Sequence, residues 1–188
     1  MSVFTLSALS RLWPLRVPIL AMALVIALSN VLVQHPINNY LTWGAFSYPL
    51  VFLVSDLTNR ALGPQAARRV AWVGFGVAVA LSLALAPWRI AVASGSAFIV
   101  SQILDIAAFN RWRRQSWWKA PLIGSLLASA IDTGVFFFLA FAGTPVDWTL
   151  LTAGDLAVKA AMAAILLAPY RALLPRLSAW APQPQHAP

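Results

Sequence analysis

The chain has 188 residues, of which 61% are hydrophobic and only 10% charged, with a formal net charge of +8. Soluble domains carry about a quarter charged residues, so this composition excludes an ordinary soluble surface. It also excludes disorder, which needs low hydrophobicity and high charge. Cysteine is absent, which removes disulfides, thiol nucleophiles and thiolate metal sites.

In chain order, six apolar stretches are separated by charged or proline-bearing segments: residues 17–34, 42–62, 70–86, 90–109, 121–142 and 150–174. Each is long enough to cross a hydrocarbon core of ~30 Å as a helix rising 1.5 Å per residue. Closed barrels would need ~10-residue alternating segments instead, and none is present. The expectation is an all-α, polytopic membrane protein: a single bundle of six transmembrane helices over residues 1–180. The first stretch reads as a retained helix, because no small-residue cleavage site precedes His35-Pro36. The polar, proline-bearing tail at 181–188 is expected to be disordered.

Loop charge sets the expected orientation. Eleven of the 13 basic residues fall at the amino-terminal segment, the second-to-third and fourth-to-fifth connections, and the carboxyl-terminal end. Arg89 stands alone on the other side, and Lys159 lies within a span. Basic residues collect in cytoplasmic loops, so both termini are expected in the cytoplasm. The same distribution assigns the positive charge to the lipid bilayer and its headgroups, and no nucleic-acid partner is expected. Trp112, Trp117 and Trp118 sit among the basic residues of one loop, as an interfacial aromatic belt does.

The residues that do not belong in lipid carry the functional signal. Of the five aspartates, Asp56, Asp105, Asp132 and Asp155 fall within spans, as does Lys159. Facing lipid, these five would cost on the order of 10 kcal/mol, so they should face the bundle interior or a wet cavity. In the fourth span Ser101, Gln102 and Asp105 share a helix face, and in the fifth Ser129 and Asp132 do. Thr133 adds a hydroxyl. Asp155 and Lys159 have the i, i+4 spacing of an intrahelical ion pair, acidic residue first. The hydroxyls suit interhelical hydrogen bonding as well as a ligand. Asp56 has Arg60, Arg68 and Arg69 as alternative ionic partners. At the start of the second span, Trp43, Phe46 and Tyr48 precede Pro49. Trp43 reads as an anchor, while Phe46 and Tyr48 suit either anchoring or stacking on a planar ligand.

No nucleotide-binding glycine loop, His-Glu-x-x-His or Gly-x-Ser-x-Gly motif occurs, and His35 and His186 have no metal-binding companions. The expectation is a non-enzyme with no cofactor and no metal. An aspartate-dependent intramembrane hydrolase, using Asp105 and Asp132 as a proton-sharing pair, is the alternative from another class. Gly74, Gly76 and Ala78 permit close helix packing, which leaves room for a homodimer.

Four motifs occur together in order: Asp56-Leu57-Thr58; Gln102-x-x-Asp105-x-x-x-Phe109-Asn110-Arg111; Ser129-x-x-Asp132-Thr133-x-x-Phe136-Phe137-Phe138; and Asp155-x-x-x-Lys159. In this set, which spans residues 42–170, the chain closely resembles the YhhQ-type, or vitamin uptake transporter, family of queuosine precursor transporters. The resemblance implies uptake of a deazaguanine base, chiefly preQ0, across the bacterial inner membrane by a multi-pass protein. It places the family's motif residues on Asp56, Gln102, Asp105, Asp132, Thr133, Asp155 and Lys159. Ala130-Ile131 stand where relatives often have polar residues, and the connection at 87–89 is short, which leaves preQ0 and preQ1 both open. A substrate-binding subunit served by a separate energising complex is the alternative within transport.

A deazaguanine presents a ring N–H and an exocyclic amine beside a carbonyl. A carboxylate accepts both N–H groups and an amide donates to the carbonyl. The expected site therefore lies between the fourth, fifth and sixth spans. There Asp105 or Asp132 reads the base edge, and Gln102 and Ser129 complete the hydrogen bonds.

Overall fold

The structure, a computed structural model, describes residues 15–32, 35–38 and 41–180. The tail at 181–188 and Arg11 lie outside the described residues. Helix α1 (Arg16–Leu32) leads into a two-stranded antiparallel ribbon, β1 (Pro36–Asn38) with β2 (Leu41–Thr42). A single-turn helix α2 (Gly44–Ser47) and α3 (Pro49–Leu62) follow, then α4 (Pro64–Leu85), α5 (Trp88–Trp112) and α6 (Lys119–Phe141). The chain ends in α7 (Trp148–Ile165) and α8 (Leu167–Trp180).

Helices α4, α5, α6 and α7 are each long and apolar enough to cross a membrane. With the outward display of large apolar side chains such as Leu24, Trp72, Trp88 and Ile165, this is an all-α membrane protein; the ribbon is its one departure among the described residues. The first two expected spans are shorter helices, α1 with 17 residues and α3 with 14. Proline accounts for two of the breaks. Pro49 lacks an N–H, so the second stretch divides at Tyr48 and restarts with proline in the first turn of α3. Pro169 cannot donate to the carbonyl of Ile165, and its ring crowds that carbonyl; the sixth stretch divides at Leu166.

Other boundaries are equally local. Gly63 has φ +86°, and its amide closes α3 on the Asn59 carbonyl at 3.0 Å. Pro64 then opens α4 without a donor to waste. Asp147 caps α7: its carboxylate accepts from the Thr149 hydroxyl at 2.7 Å and the Leu150 amide at 3.3 Å. Those two bonds hold the Asp147 carboxyl below its usual range.

Helix α5 is central, packed along α6 and α4 and against α3, while α1 lies on α4 and α3. Met22 and Ile26 of α1, Val51 of α3, Val70 and Ala78 of α4, and Phe98 of α5 form one buried cluster. Gly74 sits inside it: a Cβ there would lie 2.7 Å from Met22 Cγ and 3.2 Å from Phe98 Cζ. Its small size therefore serves contacts within one chain. Gly76, a half-turn away, has nothing within 4 Å of that position.

The short connections sort the bundle into two ends. One carries the α3–α4 turn, the α5–α6 connection and α8, with most of the arginines. The other carries the ribbon, the α4–α5 turn and the loop before α7. Arg89, at this second end, donates to the carbonyls of Leu139 (2.9 Å) and Ala142 (2.5 Å) where α6 stops, as a cation suits a helix carboxyl end.

Gly74→Val should overpack the α1–α4–α5 contact and destabilise the protein by about 1–3 kcal/mol. Gly76→Val should leave the thermal unfolding midpoint of the detergent-purified protein nearly unchanged.

Candidate substrate site

Between α1, α4, α5, α6 and α7 lies a cavity of about 630 Å³. Its rim is formed by Asn38, Leu41 and Thr42 of the ribbon, Leu85–Pro87, Phe141 and Leu151, so it opens at the end away from the arginines. Its walls are largely apolar, with Phe98, Phe136 and Phe137 among them, and Asn30, Ser82 and Ser94 add polar groups. Asp132, Asp155 and Lys159 bring charge to its lining and Tyr48 a hydroxyl.

These four residues form one network at the cavity floor. Lys159 Nζ lies 2.7 Å from Asp155 Oδ2 and 2.9 Å from Asp132 Oδ2, and donates to Thr133 Oγ1 at 3.0 Å. Thr133 in turn donates to Asp155 Oδ2 at 2.8 Å. The other oxygen of Asp132 accepts from the Tyr48 hydroxyl at 3.0 Å and from Ser101 at 3.2 Å. The ammonium also lies 5.0 Å from the centre of the Tyr48 ring, within cation–π range. The i, i+4 pair expected at Asp155 and Lys159 is thus present, and Asp132 makes it a triad. Helices α5, α6 and α7, with the residue before Pro49, are tied together by this single network.

Gln102, Asp105, Ser129 and Asp56 form a second cluster, beyond the floor and outside the cavity lining. It occupies the layer where α3, α5 and α6 meet, and all four residues are buried. Asp56 Oδ2 accepts from Ser125 at 3.5 Å, and Asn59 donates to the Ile106 carbonyl at 3.3 Å. Asp105 lies against α6 at Gly124, where a Cβ would stand 2.9 Å from Asp105 Oδ1. Both polar atoms of the Gln102 amide, Asp56 Oδ1 and the Ser129 hydroxyl have no hydrogen-bond partner, and the Ser55 hydroxyl and both oxygens of Asp105, which lie near one another, make no bond of good geometry. Asp105 and Asp132 are accordingly not bonded to one another.

Beyond this cluster the arginine-rich end is tied shut. Arg60 donates to the Tyr170 hydroxyl at 3.0 Å and to the Arg113 carbonyl at 2.8 Å, and its guanidinium lies 5.2 Å from the Phe109 ring centre. Arg113 reaches back to the Asn59 carbonyl at 3.4 Å. Arg60 thus bonds to Tyr170 of α8 and to the backbone after α5, and makes no ion pair with Asp56 within 4 Å, although its charge acts on that carboxyl. Of the tryptophans in the α5–α6 connection, Trp118 is exposed, while Trp112 and Trp117 pack beside Phe109 and Tyr170. Arg171 stacks 4.7 Å from the Trp117 ring centre.

Phe46 stands apart from both clusters: it is 38% exposed and packs on Trp43 outside the cavity. Sequence reasoning placed Ser101 on the right face without foreseeing its bond to Asp132. It missed the aromatic wall of Phe98, Phe136, Phe137 and Phe141, whose only signal was the Phe-Phe-Phe run after Asp132-Thr133.

The chain belongs to the family described as "Putative vitamin uptake transporter", whose model matches residues 42–86 and 81–173. It is 40% identical to the queuosine precursor transporter of Escherichia coli K12, over 65% of this chain and 66% of that protein. It is 33% identical to a probable queuosine precursor transporter of Haemophilus influenzae, over 62% and 65%, and 26% identical to one from Bacillus subtilis, over 69% of each. It therefore spans just under two thirds of the first two relatives. No solved structure matches it.

Removing the cation tests the triad. Lys159→Met leaves two carboxylates facing each other in the bundle and should destabilise the protein by about 3–5 kcal/mol. Lys159→Met with Asp132→Asn should recover part of that loss, read as the unfolding midpoint in detergent.

Proposed function

We propose that the chain carries a queuosine precursor base, a deazaguanine such as preQ0 or preQ1, across a bacterial inner membrane. The relatives' names supply the substrate class, and the cavity is the observation that carries the reading for this chain. Its size falls in the 300–1,000 Å³ range of small-molecule sites. Aromatic walls suit a planar heterocycle, and a charged floor suits its polar edge. One end of the bundle is open and the other latched, as one state of an alternating-access carrier would be.

In the same reading the bundle makes six crossings with both termini cytoplasmic. The arginine-rich end then faces the cytoplasm, and the cavity opens outward. Helix α1 and the α2–α3 pair supply the two crossings beyond the four long helices, and α7 with α8 makes the last.

Two measurements test this. Cells unable to make the precursor should accumulate labelled preQ0 when they express the chain. Asp132→Ala should lower that uptake about tenfold or more at equal membrane abundance, and undiminished uptake would remove Asp132 from the path. Because the chain lacks cysteine, single cysteines report topology cleanly. Val146→Cys should react with a membrane-impermeant maleimide in intact cells, and Gln115→Cys only after lysis.

A further inference from the structure

Two aspartates of the bundle are candidates for reading the base, and their hydrogen bonding separates them. Asp132 is spoken for: Tyr48 and Ser101 donate to one oxygen and Lys159 to the other. Using it to read a ligand would mean dismantling the triad. Asp105 is fully buried, with only the Ser55 hydroxyl in reach of its carboxyl and outside good hydrogen-bond geometry, and the Gln102 amide one turn away neither donates nor accepts.

Buried polar groups in proteins nearly always have partners, and within a bilayer no water is at hand to supply one. Leaving a carboxylate, a primary amide and the Ser129 hydroxyl without well-formed bonds in one layer is costly, and a ligand that matches them would recover that cost. The unmatched groups form a specific pattern. Asp105 offers two acceptors side by side, Gln102 offers donors beside its own acceptor, and Ser129 offers a hydroxyl. An aminopyrimidinone edge presents the complement: an exocyclic amine and a ring N–H for the carboxylate, and a carbonyl for the amide.

We infer that Gln102 and Asp105 form an inner recognition site for the aminopyrimidinone edge of the base, distinct from the Asp132–Lys159–Asp155 floor. This rests on the reading of the chain as a deazaguanine carrier. The layer is closed here; the recess beside Asp56 and Ser125 measures only about 10 Å³. The inner site is therefore engaged in a second conformation, entered when the floor parts. The connection is short: Ser101, bonded to Asp132, precedes Gln102 directly, and Ser129 lies one turn before Asp132 on α6. Gly124 leaves Asp105 the space to face α6.

The test uses the full chain with preQ0 and its 2-deamino analogue, which lacks the exocyclic amine. Against wild-type uptake of labelled preQ0, the analogue should compete on the order of 10- to 100-fold less well than unlabelled preQ0. In Asp105→Asn that preference should collapse toward one. Ligand-induced thermal stabilisation of the purified protein covers a variant too impaired to transport. Wild type should be stabilised more by preQ0 than by the analogue. Asp105→Asn, at an unchanged unliganded midpoint, should be stabilised equally by both or by neither. A preserved preference for preQ0 in Asp105→Asn, by either readout, overturns the inner site. Absence of preQ0 uptake and stabilisation in the wild type overturns the carrier reading and this inference with it, and the wild-type control tells the two failures apart.

Discussion

The charged network in the bundle's interior is arranged around one lysine. Lys159 is 6% exposed and lies within 3.0 Å of two carboxylate oxygens, from Asp132 and Asp155, and of the Thr133 hydroxyl. A buried cation is tolerable only when paired and hydrogen-bonded, and the pair seldom adds net stability over apolar packing. What it supplies is geometry. Asp132 comes from α6, the lysine and Asp155 from α7, Ser101 from α5, and Tyr48 from the residue before Pro49. The chain break that proline imposes is what aims Tyr48 inward. Four segments far apart in sequence are held in one register by groups that have no other acceptable partner in an apolar medium.

That network divides the interior into a solvent-accessible half and a closed half. Toward the ribbon lie the cavity and its aromatic walls; toward the arginines the buried layer of Asp105 and Gln102 follows. The closure is itself polar and specific, since Arg60 bridges from α3 to Tyr170 on α8 and to the backbone of Arg113 after α5. Charged and backbone groups exchange partners more readily than a packed apolar core, whose dense interlocking resists change. The closure is thus made of two arginines, a phenol and carbonyl oxygens, whereas the Met22–Ile26–Val51–Phe98 cluster beside the cavity is wholly apolar.

Much of this was legible in the sequence, and the illegible part has a common cause. Apolar runs of sufficient length identify membrane helices because a bilayer demands them, and aspartates within such runs must turn inward. Helical spacing then gave Asp155 and Lys159 to one another. Periodicity reports which face a residue occupies, but not which helix that face meets. Asp105 and Asp132 are therefore equivalent by spacing, although Asp132 accepts three well-formed bonds and Asp105 none. Phe46 and Tyr48 sit two residues apart beside the same proline, and the turn at Tyr48 sends only the second into the cavity. The division at Pro169 was written in the sequence but masked by an apolar run that continues to Leu174. Gly74 looked available for contact between chains until the fold placed Met22 and Phe98 against it.

The contrast between the two polar layers bears on how a small membrane protein can hold a polar site at all. A bundle with every buried group satisfied would be stable and inert, because any ligand would have to displace a bond already made. A bundle with many unsatisfied groups would not assemble. Here the two conditions are separated along the axis. The triad satisfies its members and ties α5, α6 and α7, while the layer beneath leaves the polar atoms of Gln102 and Asp105 unmatched. Small residues assist, since Gly124 leaves space beside the Asp105 carboxylate. In the proposed reading, cohesion and recognition thus rest on different aspartates.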